Sequence, residues 1–294
     1  MERPVRAAIV RVTAVGELMV MRGKVVAALA TGVTLLLGVG AVSASGEAIL
    51  FSSGFESNSL SGWTASGNDP VVQSQITRMG RYAIQSTLDR NNSAVPYRTE
   101  VRAIVPNPVR GQDTWYGFSI YLPDPYAADT LEESLAQWHK AEPAEPGDTV
   151  TQPPMALHSG NGRWTVVTRS ATDQPTTNAT KQEKKFDLGP YKVGEWTDWV
   201  FRVRWNWTGD GELQVWKNGV EVIKTKGPIG YNDAVMPYFK MGIYKPLWKN
   251  YVGVVTKRVM YHDEFRMAGP GGSYYDVAPG PSDRPKAPTL AIIR

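Results

Sequence analysis

The sequence predicts an all-β fold, an antiparallel sandwich or jelly roll. Three observations predict it. Apolar and polar residues alternate with period two through at least seven segments, Gly/Asn/Pro turn signals separate these segments, and no βαβ rhythm of long helices runs between them. All 10 Trp, 13 Tyr and 7 Phe lie after residue 50, which suits a sandwich core with aromatic layers.

Taken in order, the alternating runs are Tyr97–Ala103, Trp115–Leu122, Arg163–Arg169, Trp196–Trp205, Glu212–Trp216, Tyr238–Tyr244 and Arg258–Phe265. Asn161-Gly162 and Asn218-Gly219 supply the residue types that tolerate positive φ in two-residue hairpin turns. Lys217-Asn218-Gly219-Val220 between two apolar runs is the strongest of these signals. One short stretch, Ala127–Leu135, reads as helical. Lys140–Pro154 carries four prolines and reads as a loop; residues 269–294 read as a Gly/Pro-rich, loosely held tail.

Composition narrows the function. The chain has no cysteine, which excludes disulfide scaffolds, thiolate metal sites and a Cys nucleophile. Its three histidines, His139, His158 and His262, are too few for a His-rich metal centre, and His158 and His262 read as structural. The net charge of +4 is concentrated at the start: residues 1–44 hold five cations and two anions, leaving 27 against 26, a net of +1. That near-neutral remainder gives no reason to expect nucleic acid as a partner. Lys24 followed by the apolar run Val25–Val42 and the small residues Ser43-Ala44 reads as a secretory signal peptide, with Met21 as an alternative start. The expectation is an exported, bacterial-type, monomeric protein with a domain over 45–268 and no membrane contact after cleavage of the leader.

Three strands carry unusual polar faces. Arg98, Glu100 and Arg102 share one face, as do Gln137 and His139, and as do Tyr238, Lys240, Gly242 and Tyr244, while Phe239, Met241 and Ile243 form an apolar stripe on the other side. These residue types suit β-elimination at a uronic acid. A base removes the proton at C5, the C4–O4 bond breaks, and the C5 carboxylate opposes the developing carbanion. Arg, Gln and His can relieve that opposition, and a Tyr near O4 can act as the acid.

The ordered set Tyr97-Arg98-Thr99-Glu100-Val101-Arg102, Gln137-Trp138-His139 and Tyr238-Phe239-Lys240-Met241-Gly242-Ile243-Tyr244 resembles jelly-roll polysaccharide lyases. It is similar to alginate lyases with R-T/S-E-L/V-R, Q-I-H and Y-F-K-x-G-x-Y motifs, and to the glucuronan lyase and heparin lyase I group. Trp196–Phe201 and the Gly211–Gly219 hairpin favour the second comparison. The resemblance implies a concanavalin-like β-jelly roll of two curved sheets with a substrate groove. It implies that Arg98, Gln137 and His139 neutralise the carboxylate or assist proton removal, that Tyr244 is the acid/base, and that Glu100, Arg102, Tyr238 and Lys240 bind substrate. Glu100 is expected to orient the two arginines or to meet a sugar hydroxyl. Trp138 and Lys245-Pro246 depart from the alginate lyase pattern, the latter replacing the Asn or Gln found after the tyrosine. Folds of this type often clip their first and last segments with calcium, for which Glu56 and Asp263 are the candidate ligands; no organic cofactor is expected. A lectin-like module of the same fold is the rival reading. A glycoside hydrolase ranks last, because Asp263 and Glu264 are expected on opposite strand faces and no paired carboxylates stand out.

Overall fold

A computed structural model describes residues 48–141, 146–150, 152–280 and 289–290, all within the compact unit Ala44–Arg294. The expected signal peptide lies outside these residues. In chain order the strands are β1 (Ile49–Ser53), β2 (Trp63–Gly67), β3 (Val71–Gln73), β4 (Ala83–Asp89), β5 (Arg98–Ala103) and β6 (Asp113–Tyr121). Next come β7 (Glu133–His139), β8 (Met155–Gly160), β9 (Arg163–Ala171), β10 (Gln182–Pro190), β11 (Trp196–Arg204) and β12 (Glu212–Lys217). The last are β13 (Val220–Lys226), β14 (Gly230–Tyr231), β15 (Tyr238–Tyr244), β16 (Lys257–Ala268) and β17 (Thr289–Leu290), with one four-residue α-helix among the described residues, α1 (Tyr274–Val277), before β17.

Among the described residues two sheets form. The first runs β17-β13-β12-β11-β6-β16-β4-β3, with β1 also on β16; the second runs β10-β9-β8-β7-β15-β5-β2, with β14 on β9. Apart from the short β13–β17 and β14–β9 pairs, the ladders are antiparallel. This is the expected jelly roll, and the second sheet supplies the concave face. The motif strands β7, β15 and β5 are neighbours at its centre although Glu100 on β5 and Lys240 on β15 lie 140 positions apart; the crossovers of the fold bring them together.

Burial explains the register. On β15, Phe239, Met241 and Ile243 are buried between the sheets, so Tyr238, Lys240 and Tyr244 must face the groove. Phe239 stacks on Phe265 of the opposite sheet at 4.7 Å between centroids, and Trp138 meets Phe201 at 4.7 Å. Each such side chain contributes roughly 1.5–3 kcal/mol by leaving water. The Asn-Gly turns fall where expected: Asn161 and Gly162, and Asn218 and Gly219, all have positive φ and join β8 to β9 and β12 to β13.

Three expectations need correction. Ala127–Leu135 is not a helix. Asp129 accepts the backbone N–H of Leu131 at 3.0 Å, a local bond that competes with helical pairing, and residues from Glu133 onward are captured by β15 and β8. Asp263 and Glu264 do not point apart, because Glu264 has φ of 57° and the ladder to β6 shifts register between Asp263 and Arg266. Residues 273–280 are held rather than loose: Val277 is fully buried, and a Cβ at Gly117 would collide with its carbonyl oxygen.

Candidate active site

Strand pairing sets the side chains of the concave face in rows. One row runs Arg98, Tyr244, Ser134, His158, Thr165, Asp187 across β5, β15, β7, β8, β9 and β10. A second runs Thr64, Arg102, Lys240, Gln137, Ala156, Val167, Lys185. Tyr238 pairs with His139 beside them, and Gly242 pairs with Glu100 between them. Gly242 has φ of 138°, and a Cβ there would strike the Thr99 carbonyl oxygen, so only glycine allows β15 this close to β5. All eight groove residues expected from the motifs therefore meet on one face.

Glu100 is the hub. Its carboxylate accepts from Lys240 Nζ at 2.7 Å and from the Gln137 amide, and lies 3.2 Å from Arg98 Nε. It is buried beneath these groups, in contact with Arg98 but not with Arg102, which meets the first half of the expectation that it orients the two arginines. Lys240 is buried with it, also reaching Ser66 Oγ at 3.3 Å. Burial lowers the Lys240 pKa, opposed by Glu100. Arg102 is not held by Glu100. Its guanidinium lies over the Tyr238 ring at 3.9 Å, while that of Arg98 lies over Tyr244 at 4.3 Å.

His139 has a fixed tautomer. Its Nδ1 is 2.9 Å from the Lys140 carbonyl oxygen, which can only accept, so Nδ1 carries the proton and Nε2 keeps its lone pair. The Tyr238 hydroxyl lies 3.2 Å from the same Nδ1. Burial holds the imidazole below its ordinary pKa, with Lys240 and Arg98 acting the same way and the Lys140 carbonyl and Glu100 opposing. Lys140 is itself anchored by ion pairs to Asp148 and Asp233, the latter at 2.8 Å.

The site thus offers cations on β5, a neutral imidazole and a phenol on one face. Glu100 is the single carboxylate at its centre among the described residues and is buried, so the flanking pair a glycoside hydrolase requires is missing there.

Sequence reasoning missed two features. His158 faces the groove, in the row of Tyr244, with Nδ1 3.5 Å from Glu132 Oε2; the apolar Met155 and Leu157 beside it were the available signal. His262, by contrast, is a core residue that burial holds neutral, at a pKa of about 3. The other miss is Lys245, fully buried against Asp129 at 3.3 Å and Glu133 at 3.2 Å.

Away from the groove, Glu56 and Asp263 approach each other around Gly54. Glu56 accepts the N–H groups of Arg81 and Tyr82, and Asp263 those of Arg78, Met79 and Glu264. Burial pushes the Asp263 carboxyl up to about 7, against the three backbone N–H groups that favour its charged form. The two residues would supply only part of the six to eight oxygens calcium takes, and no group of three or more His, Cys, Asp or Glu among the described residues is arranged to hold a metal.

A jelly roll whose groove gathers cations, an imidazole and a phenol around one buried carboxylate defines a carbohydrate-active β-sandwich equipped for elimination. The polysaccharide lyase family model matches residues 53–266, and the chain belongs to that family. It is a polysaccharide lyase. Among solved structures, the endo-β-1,4-glucuronan lyase of the fungus Trichoderma reesei is 18% identical with a TM-score of 0.62, covering 80% of this chain and 94% of that one. Alginate lyase AlyC3 is 15% identical with a TM-score of 0.43, covering 63% and 74%. A search among curated proteins found no match.

Proposed function

We propose that the protein is a secreted lyase that cleaves a uronate-containing polysaccharide, glucuronan-, alginate- or heparin-like, by β-elimination, with glucuronan the first choice and alginate the second. The observation that carries this reading is the convergence of Arg98, Arg102, Gln137, His139 and Tyr244 on one face around buried Glu100. In this reading Arg98 and Arg102, with Gln137, hold the C5 carboxylate and offset charge as C5 loses its proton. His139 Nε2 takes that proton. The Tyr244 hydroxyl gives its proton to O4 as the C4–O4 bond breaks, and the electron pair from C5 becomes the C4–C5 double bond. Tyr238 and the Lys140 carbonyl position His139; Glu100 positions the cations.

Glucuronan is favoured over alginate by Lys245-Pro246, which replaces the residues that follow the tyrosine in the alginate lyase motif. Export is supported by the cationic, apolar and small-residue sequence of Lys24–Ala44. A structural calcium at Glu56 and Asp263 completes the reading, supported by the approach of the two carboxylates beside Gly54. The test is a panel of uronate polymers incubated with the mature protein and followed by ultraviolet absorbance of the new double bond. The chromophore is expected on at least one polymer, glucuronan first. Saturated reducing ends without it would overturn the elimination.

A further inference from the structure

His139 Nδ1 has two neighbours, and on their own they favour opposite tautomers. We infer that Lys140 is a positioning residue for the elimination: with its ammonium clasped by Asp148 and Asp233, it holds its own carbonyl against His139 Nδ1 and so keeps the lone pair on Nε2. This rests on the lyase reading above and deepens it, by naming what makes His139 a base.

The two neighbours differ in what they can do. The Lys140 carbonyl oxygen, 2.9 Å from Nδ1, can only accept, so it requires a proton there. The Tyr238 hydroxyl, 3.2 Å from the same atom, can donate as well as accept. With the carbonyl in place, the hydroxyl accepts a share of the Nδ1 proton and supports the same tautomer. With the carbonyl withdrawn, the hydroxyl is free to donate to Nδ1. The ring proton then sits on Nε2, and the imidazole has no lone pair left for the C5 proton. The tautomer therefore depends on how firmly the carbonyl is held.

β7 ends at His139, which pairs with Tyr238. The next residue lies outside the strand, and its side chain is what anchors it. The Lys140 side chain is 4% exposed and pairs with Asp148, 2% exposed, and with Asp233 at 2.8 Å. The carboxylates come from separate connections: Asp148 is eight positions further on, and Asp233 follows β14, 93 positions away. Both connections are tied in turn. Asp148 accepts the Thr176 N–H at 2.6 Å, and the Asp233 N–H donates to the Tyr231 carbonyl at 2.8 Å. The Tyr231 ring lies 5.9 Å from the ammonium, and its hydroxyl donates to the Gln152 carbonyl at 3.2 Å. A buried ammonium is strongly unfavourable away from its carboxylates, so the clasp dictates where residue 140 sits.

The test is the variant Lys140→Met, Asp148→Asn, Asp233→Asn, which removes the three charges together and strands none of them. Nitrogen shifts of isotopically labelled histidine report the tautomer without substrate, at alkaline pH where the imidazole is neutral. The chain has three histidines, so the His139 signals are assigned by their loss in His139→Ala. Wild type is expected to carry the proton on Nδ1, and the triple variant to gain a substantial population with it on Nε2. Adding Tyr238→Phe removes the competing donor and should return part of that population to Nδ1, which a general loosening of the site would not do. On a cleaved uronate polymer the triple variant's kcat should fall by about tenfold or more, up to the roughly 10²–10⁴ that a general base contributes. KM should hold, because the lost interaction serves the transition state alone. Should the triple variant fail to fold, Asp233→Asn, which leaves Asp148 on Lys140, is read in the same way. If wild type cleaves no uronate polymer, the lyase reading falls and the tautomer populations still decide this inference. A variant whose His139 keeps the Nδ1 proton as fully as wild type overturns it, as does an unchanged kcat with the tautomer shifted.

Discussion

Glu100 and Glu133 are both buried carboxylates gripped by two cations each, yet they do different things. Glu133 is closed on itself. It accepts from the Tyr126 hydroxyl at 2.6 Å, Ser159 Oγ at 2.8 Å and Arg258 Nε at 3.0 Å, and Lys245 Nζ lies 3.2 Å away. Its cationic partners are buried too, and Lys245 also reaches the Leu131 carbonyl. Glu100 is open. Its partner Arg98 is partly exposed, and Gln137 Oε1 is buried without a hydrogen-bond partner. An unsatisfied buried acceptor costs on the order of 1–3 kcal/mol, a cost offset when a ligand hydroxyl arrives. The Glu133 cluster fixes the fold where β15 ends and the 129–133 segment enters β7. The Glu100 cluster faces the groove through the partly exposed Arg98.

The variants that separate these roles differ most in turnover at the groove. Tyr244→Phe keeps the ring that stacks under Arg98 and removes only the hydroxyl, so turnover should fall by roughly 10²–10⁴ while binding holds. More than about a tenth of wild-type turnover would exclude Tyr244 as the acid, and Tyr238, the other tyrosine on that strand face, would replace it. Glu100→Gln comes next. It leaves the buried Lys240 without its carboxylate, so the melting temperature should fall as well, while kcat/KM of the folded protein drops on the order of 10–100-fold, a typical loss for a displaced positioning group. An unchanged kcat/KM would remove Glu100 from the hub.

His139 then sharpens the comparison through pH. As a base it must be unprotonated, and burial, with Lys240 and Arg98, holds its pKa below the ordinary value. The acid limb of kcat/KM should therefore have its midpoint below about 6.5. Glu100 acts in the opposite sense on His139, so Glu100→Gln should move that midpoint lower still. A limb above 6.5 would argue against His139 as base.

Much of this architecture is legible in the sequence. Tyr238–Tyr244 is a strand with the bounds its alternation predicts, and Asn218-Gly219 is the turn its composition predicts, because local sterics and one-sided burial decide both. The eight groove residues were legible because period two assigns their faces and the motif order assigns their company. What was not legible depended on bulges and long-range ion pairs. The register shift near Leu135 between β7 and β8, and the one after Asp263, break the alternation that sequence reading relies on. Lys245 looked like a mere departure from a motif; only the fold brings Glu133, 112 positions earlier, to within 3.2 Å of it.

Glu133→Ala is the counterpart of Glu100→Gln and should act mainly on stability. It leaves Lys245 and Arg258 buried without their shared partner, which typically costs about 3–5 kcal/mol. For a domain of this size that is roughly a 6–20 °C fall in melting temperature. At low temperature the folded fraction should retain most of its turnover. A variant that melts like wild type would show that water replaces the carboxylate and that the cluster is not closed.

The smallest effect on turnover is expected at the far clip. Glu56 and Asp263 bind the 78–82 segment through backbone N–H groups, and β1 pairs with β16 beside them. Calcium there would tie the first and last strands of the domain and bind the folded state alone, adding about 2.7 kcal/mol at a hundredfold excess over its dissociation constant. Chelation should then lower the melting temperature by roughly 5–10 °C and leave kcat at low temperature unchanged, since neither carboxylate faces the groove. Asp263→Asn should abolish the response to added calcium, which distinguishes this site from an ion held elsewhere. Elemental analysis without metal, together with an unmoved melting curve, would leave the N–H bonds of Arg78, Met79, Arg81 and Tyr82 as the whole of the clip. In that case the contrast between Glu100 and Glu133 extends to a second pair of carboxylates, Glu56 and Asp263, satisfied by backbone alone.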